Sequence, residues 1–252
     1  MAAQFLYAGA INDRDRRIFQ FLFENKVATA RQLKDIFFAK NCPQIAYRRL
    51  ASLSNAGWLR KEGHAEGTKL HHIYGLSDKA YQDYVFNEEV NGRQRQLKSS
   101  SVDHDLALVD IRQCFQKNQA VKRFYPENLL QSAHKYAGSE EFRDCVALRS
   151  DAVVELLMQG KYRFLVPIEY EASFKELERC HQKLLNYYIK YDGDVVFFIC
   201  RNDAIRKRFV KIEQELSHQF KPKVYFGLLS DVQKSPTRLT FVKAKGDQYT
   251  IE

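Results

Sequence analysis

Apolar residues recur at helical spacing three times in the first third of the chain. In "NDRDRRIFQFLFENK" they are Ile18, Phe19, Leu22 and Phe23, behind the cap-competent Asn12 and Asp13. In "TARQLKDIFF" they are Leu33, Ile36 and Phe37, and Thr29 with Gln32 forms a capping-box pattern ahead of them. In "NCPQIAYRRLASLSNAG" the stripe is Ala46, Leu50 and Leu53, with Pro43 suited to the first turn and Gly57 to the stop. The period then changes. "WLRKEGHAEGTKLHHIYGLS" reads as two short strands around a glycine-containing tip, and "SDKAYQDYVF" as a closing helix with Ser77 as its cap. "NEEVNGRQRQLKSSS" has no apolar period and reads as a linker. The pattern therefore predicts a first domain over residues 1–88, a linker over 89–102 and a second domain over 103–252.

The second domain opens with a helix in "SVDHDLALVDIRQCFQKN", striped by Leu108, Ile111 and Phe115. Strands follow in "AVKRFYPENLL", "DAVVELLM" and "YRFLVPIEYE", then a long helix in "SFKELERCHQKLLNYYIKY". "DVVFFIC" is a continuous apolar run, as expected of a strand buried on both faces. "AIRKRFVKIEQELSHQF" is a further helix and "KVYFGLLS" a final strand. The order is αβββαβ extended by αβ, and the crossover helix implies parallel pairing of the late strands. The expected class is α/β, or α+β for the chain as a whole.

Charge narrows the partner. The formal net charge is +9, and residues 1–100 carry +6 of it. A basic front domain points to a polyanion. In the third helix Gln44, Tyr47, Arg48 and Ala51 share a face separate from the apolar stripe, with Arg49 beside it. Hydrogen-bonding and cationic groups on an exposed helix face suit a DNA major groove. Lys61, His64, Lys69, His71 and His72 decorate the hairpin, where they are placed to meet phosphates. Three helices and a basic hairpin are the order of a winged helix-turn-helix. The expected partner is double-stranded DNA, and a homodimer is a second expectation because such regulators commonly pair.

Several classes fall away. The cysteines, Cys42, Cys114, Cys145, Cys180 and Cys200, are scattered, and with the seven histidines they complete no zinc spacing. Reduced thiols in a cytoplasmic protein fit them. No apolar run approaches the ~20 residues of a membrane span, and "MAAQFLYAGA" lacks the pattern of a signal peptide. No P-loop, G-x-G-x-x-G or nucleophile elbow is present, and no small-molecule substrate is evident.

The remaining chemistry lies in three acids set in an apolar hairpin: Asp151, Glu169 and Glu171. Strand alternation puts Glu169 and Glu171 on one face. A three-residue loop of Gln159, Gly160 and Lys161 would bring Asp151 opposite Glu169, whereas a two-residue loop would bring it opposite Ile168. Gathered carboxylates need a cation or a proton. Tyr187 and Tyr188 on the following helix are candidates for stacking on bases, with at least one of them expected in the core.

An Asp at the start of the second strand and an acid pair ending the third resemble the PD-(D/E)xK nuclease superfamily. The chain as a whole, through "VDHDLALVDIRQCF", "RSDAVVEL", "FLVPIEYE" and "RCHQKLLNYY", resembles the replication-relaxation family of bacterial plasmids and mobile elements. The resemblance implies Asp151 and Glu169 as Mg²⁺ ligands if the site is active, and no cofactor for DNA binding. Glu171 stands where active nucleases carry lysine. Lys183 is the first candidate for a displaced lysine and Lys175 the second, with His104 and Glu127 as possible additions. Alternatively Lys183, Arg179 or Arg149 simply pairs with the acids. The readings that follow are a DNA-binding protein of replication, mobilisation or transcriptional control with a degenerate nuclease-like domain, a Mg²⁺-dependent endonuclease or nickase, or a protein-interaction scaffold.

Overall fold

The structure is a computed structural model of the 252-residue chain and describes residues 10–66, 69–86 and 96–252. Residues 89–95 of the expected linker and the hairpin tip at 67 and 68 lie outside the described residues. The fold is α+β. Its described residues divide into two compact units, one running to Val109 and including Ser132–His134, the other holding Asp110–Gln131 and Lys135–Glu252.

In the first unit α1 (Asp13–Asn25), β1 (Ala28–Thr29), α2 (Ala30–Phe37) and α3 (Pro43–Asn55) precede the hairpin β2 (Leu59–Glu66) and β3 (Lys69–Leu76). The caps do what their chemistry allows. Asn12 and Asp15 satisfy each other's backbone N–H groups at the start of α1, and Thr29 and Gln32 do the same for α2. β1 pairs with β3, so the small sheet runs β1-β3-β2. Ile18, Phe19, Leu22, Phe23, Leu33, Ala46, Leu50 and Leu53 are all fully buried in one core, so each predicted stripe faces inward. The expected closing helix is shorter and irregular: α4 (Asp78–Ala80) passes into a π turn over Tyr81–Val85. That turn buries Tyr81 against Phe23, at a ring separation of 5.6 Å.

The division between the units falls within α5 (Val102–Phe115). β4 (Val121–Pro126) runs into α6 (Glu127–Ser132), followed by α7 (His134–Ala137) and α8 (Arg143–Leu148). Next come β5 (Ala152–Met158), β6 (Tyr162–Glu171), α9 (Leu177–Lys190), β7 (Val196–Cys200), α10 (Asp203–Leu216), β8 (Val224–Leu228) and α11 (Leu229–Lys234). β9 (Leu239–Val242) and β10 (Gln248–Ile251) form a terminal hairpin beyond the last strand the sequence predicts. The sheet order is β10-β9-β8-β7-β6-β5-β4. β6, β7 and β8 are parallel, as the crossover helices α9 and α10 require. Every residue of β7 is buried. Phe197 and Phe241 stack at 4.2 Å between ring centroids, and Gly227 permits this because a Cβ there would sit 2.9 Å from the Phe241 ring.

Candidate functional site

The first candidate surface is the outer face of α3. Helical spacing places Ala46, Leu50 and Leu53 in the core and leaves Gln44, Tyr47 and Arg48 exposed. Ile45 is 47% exposed and Tyr47 45%, so the face presents apolar edges beside its donors. Arg49 does not share it. Its Nε donates to Asp15 Oδ1 at 3.0 Å and a terminal nitrogen binds Asp15 Oδ2, while Asp15 is fully buried. The guanidinium predicted as a DNA contact is instead spent on a buried carboxylate at the start of α1.

On the hairpin Lys61 and His72 are exposed and His71 is half-buried. Lys69 begins β3, in register with Glu66. His64 has a partner within its own unit: Nε2 lies 2.7 Å from Asp103 Oδ1. His104 also belongs to this unit, with Nδ1 3.5 Å from Asp105 Oδ1.

The second candidate lies in the other unit, where β5 and β6 meet α9. The hairpin closes through Gln159, Gly160 and Lys161, because Met158 pairs with Tyr162. Gln159 and Gly160 both take positive φ, at 53° and 64°, and turn the chain at the tip. Ala152 therefore pairs with Ile168, and continuing the ladder one step sets Asp151 against Glu169. This is the register that gathers the acids. Glu169 and Glu171 share a strand face beneath α9, and both are buried.

α9 and the loop before it bring cations to them. Lys183 Nζ lies 2.5 Å from Glu169 Oε2 and 2.5 Å from Glu171 Oε1. Lys175 Nζ lies 2.7 Å from Glu171 Oε2. One turn beyond Lys183, the Tyr187 hydroxyl donates to Glu169 Oε1 and lies 2.7 Å from Ser150 Oγ. Asp151 Oδ2 accepts the Tyr170 backbone N–H at 2.8 Å. Tyr187 and Tyr188 are both buried, so neither stacks on a base; Tyr188 hydrogen-bonds Glu213. Arg149 pairs with Glu127 at 3.2 Å, and Arg179 is exposed. Of the candidate partners for the acids, Lys183 and Lys175 are the ones brought to them.

The electrostatics follow from burial. Desolvation raises the proton affinity of Glu169, opposed by the Lys183 charge and helped by that of Asp151. Burial alone would lower the proton affinity of Lys183, but Glu169, Asp151 and Glu171 outweigh it and hold the ammonium charged. Burial pushes the Tyr187 hydroxyl well up, and Glu169 adds to it. The Cys145 and Cys200 thiols are pushed up to about 12, first by burial and then by neighbouring carboxylates, so neither supplies a thiolate nucleophile.

A divalent metal fits this arrangement poorly. Mg²⁺ asks for oxygen ligands in near-octahedral array. Here all four glutamate oxygens and one of Asp151 already receive protein donors. Among the described residues no group of three or more His, Cys, Asp and Glu side chains is set to hold a metal ion. The described cysteines are all free thiols, and no described helix is long and apolar enough to cross a membrane.

These features define an α+β protein with an exposed polar helix face in one unit and a lysine-closed acid cluster in the other. Residues 19–192 match the family model described as Replication-relaxation, which spans α1 to the end of the crossover helix α9. The chain belongs to the replication-relaxation family, a membership that suggests a role in the replication or mobilisation of plasmids or mobile elements. No curated protein and no solved structure gives a match.

Proposed function

We propose that this chain is a cytoplasmic double-stranded DNA-binding protein that serves replication, mobilisation or transcriptional control of a plasmid or mobile element. The first unit acts as a winged helix-turn-helix. α3 enters the major groove with Gln44, Tyr47 and Arg48, and the β2–β3 hairpin lies along the backbone through Lys61, His64 and Lys69. The carrying observation is the α3 face itself: Gln44, Tyr47 and Arg48 stand out from a helix whose other face is wholly in the core. A long amphipathic helix with a polar and cationic outer face, in a unit of strongly basic sequence, meets the requirements of groove reading. The second unit supplies an α/β frame of the PD-(D/E)xK kind in which the acids are neutralised by lysine, and it performs no hydrolysis.

The test is a mobility shift of supercoiled plasmid and of short duplexes, run with Mg²⁺ or Mn²⁺ and then with EDTA. A shift without cleavage, weakened in Arg48→Ala, supports the reading. Metal-dependent nicking that disappears in Asp151→Ala would replace it with the endonuclease reading. Absence of any shift on either DNA would favour a protein-interaction scaffold. Light scattering on the same samples decides between monomer and homodimer.

A further inference from the structure

We propose that Lys183 is the resident cation of the acid cluster: its ammonium occupies the place at which these carboxylates would otherwise collect a divalent metal ion. The inference stands apart from the DNA-binding reading and rests on the second unit alone.

Asp151, Glu169 and Glu171 are drawn together by the hairpin register, and buried carboxylates at such spacing repel unless a positive charge lies between them. Lys183 supplies it, with Nζ 2.5 Å from an oxygen of each glutamate. The fit is built from the helix side. Leu184, Tyr187 and Tyr188 are buried in the core under α9, which fixes the helix over the sheet and directs Lys183 at the acids. Tyr187, one turn on, binds the other Glu169 oxygen, and Lys175 binds the other Glu171 oxygen. Each glutamate thus has one oxygen on the shared ammonium and one on a private donor. A metal ion would have to displace Lys183 and at the same time share its ligands with Tyr187 and Lys175. The lysine is only 26% exposed, so it is held rather than resting on a surface.

The consequence is a cluster whose two glutamates are matched by Lys183 and Lys175 without metal, and in which loss of a single side chain opens a cation site. Lys183→Met keeps the length of the stem and removes the charge. In the wild-type protein, Mn²⁺, Ca²⁺ and EDTA should leave Tm unchanged, and Tb³⁺ should give no tyrosine-sensitised luminescence. Lys183→Met should lose about 10 °C in Tm, as expected for an uncompensated buried charge in a chain of this size. Added Mn²⁺ or Ca²⁺ should restore most of that loss, and Tb³⁺ luminescence should appear and saturate. The double variant Lys183→Met/Glu169→Gln removes one negative charge along with the cation. It should fold without metal and respond to metal less than the single variant.

A wild-type Tm that rises with Mn²⁺, or Tb³⁺ luminescence equal in wild type and variant, overturns the proposal. So does a Lys183→Met protein that keeps the wild-type Tm. If Lys183→Met does not fold even with Mn²⁺, the double variant decides: recovery of the fold supports the ammonium's role, and failure to fold overturns it.

Discussion

Arg48 and Arg49 are neighbours in sequence but opposites in role on the proposed DNA-binding reading, and exchanging each for alanine separates reading from folding. Arg49 reaches across the first unit to Asp15, which is fully buried, while the Arg49 side chain is 19% exposed. Among the described residues, Arg49→Ala leaves that carboxylate with the Asn12 backbone N–H as its donor. Removing one partner of a buried pair costs about 3–5 kcal/mol, because the remaining charge has no water to return to. In a chain of this length each kcal/mol is worth roughly 2–4 °C, so Tm should fall by roughly 6–20 °C. Arg48 is exposed and pairs with no buried carboxylate among the described residues, and its loss should change stability by no more than about 0.5 kcal/mol. On DNA the order reverses. Arg48→Ala should cost about 1–3 kcal/mol of binding, a weakening of roughly 5- to 150-fold. Arg49→Ala, assayed well below its own Tm, should bind within a few-fold of wild type. Thermal unfolding by circular dichroism and fluorescence anisotropy on a labelled duplex give the two numbers for each variant. An Arg49→Ala protein with wild-type Tm and abolished DNA binding would refute the assignment, as would an Arg48→Ala protein that binds normally.

Other outcomes follow from the same geometry. Glu213 is fully buried, and its carboxyl is raised from the ordinary 4.5 to about 7, mainly by burial and despite the Tyr188 hydrogen bond. The folded state therefore holds this proton more tightly than the unfolded state. Its contribution is greatest below pH 4.5 and declines as pH climbs to about 7, by roughly 3 kcal/mol in all. Glu213→Gln should flatten that part of a urea-midpoint profile, and an unchanged slope would assign it elsewhere. Asp103 holds His64 on the hairpin at 2.7 Å, so Asp103→Ala should free the imidazole and strengthen duplex binding a few-fold; equal or weaker binding contradicts the proposed phosphate-facing role of His64. Gly227→Ala would place a Cβ 2.9 Å from the Phe241 ring, and should lower stability by about 1–3 kcal/mol in chemical denaturation.

The helices of the first unit were legible because each joined an apolar stripe to a start signal, Asn12 for α1, Thr29 with Gln32 for α2 and Pro43 for α3, the last also carrying a stop at Gly57. The strands β5 to β7 were legible from apolar runs bounded by turns. The register of the β5–β6 hairpin was not, since two loop lengths differing by one residue satisfied the pattern equally; the pairing of Met158 with Tyr162 settles it at three. Gathering of Asp151, Glu169 and Glu171 hangs on that residue. Lys183 was legible as a partner because buried acids demand a cation, and α9 was the next element able to deliver one. Tyr187 was named as a base-stacking candidate, but its hydroxyl is spent on Glu169. Arg49 turns away from the reading face for a reason the helical wheel does not show. Its position on the helical wheel lies beside the reading face, and Asp15, which turns it inward, is 34 positions away in sequence. The short helices between β4 and β5 and the β9–β10 hairpin gave no sustained period. Leu239, Phe241 and Ile251 are buried, but they are too few and too separated to announce strands.

The most direct test of the account is the salt dependence of duplex binding. Anisotropy of a labelled duplex is titrated with wild-type protein and with Arg48→Ala at salt concentrations from about 50 to 200 mM. If α3 and the hairpin dock on DNA, the logarithm of affinity falls linearly and steeply with the logarithm of salt. Arg48→Ala then lies below wild type throughout. An affinity that does not change with salt, or wild type and Arg48→Ala on a single line, would contradict the claim that this face of α3 binds DNA.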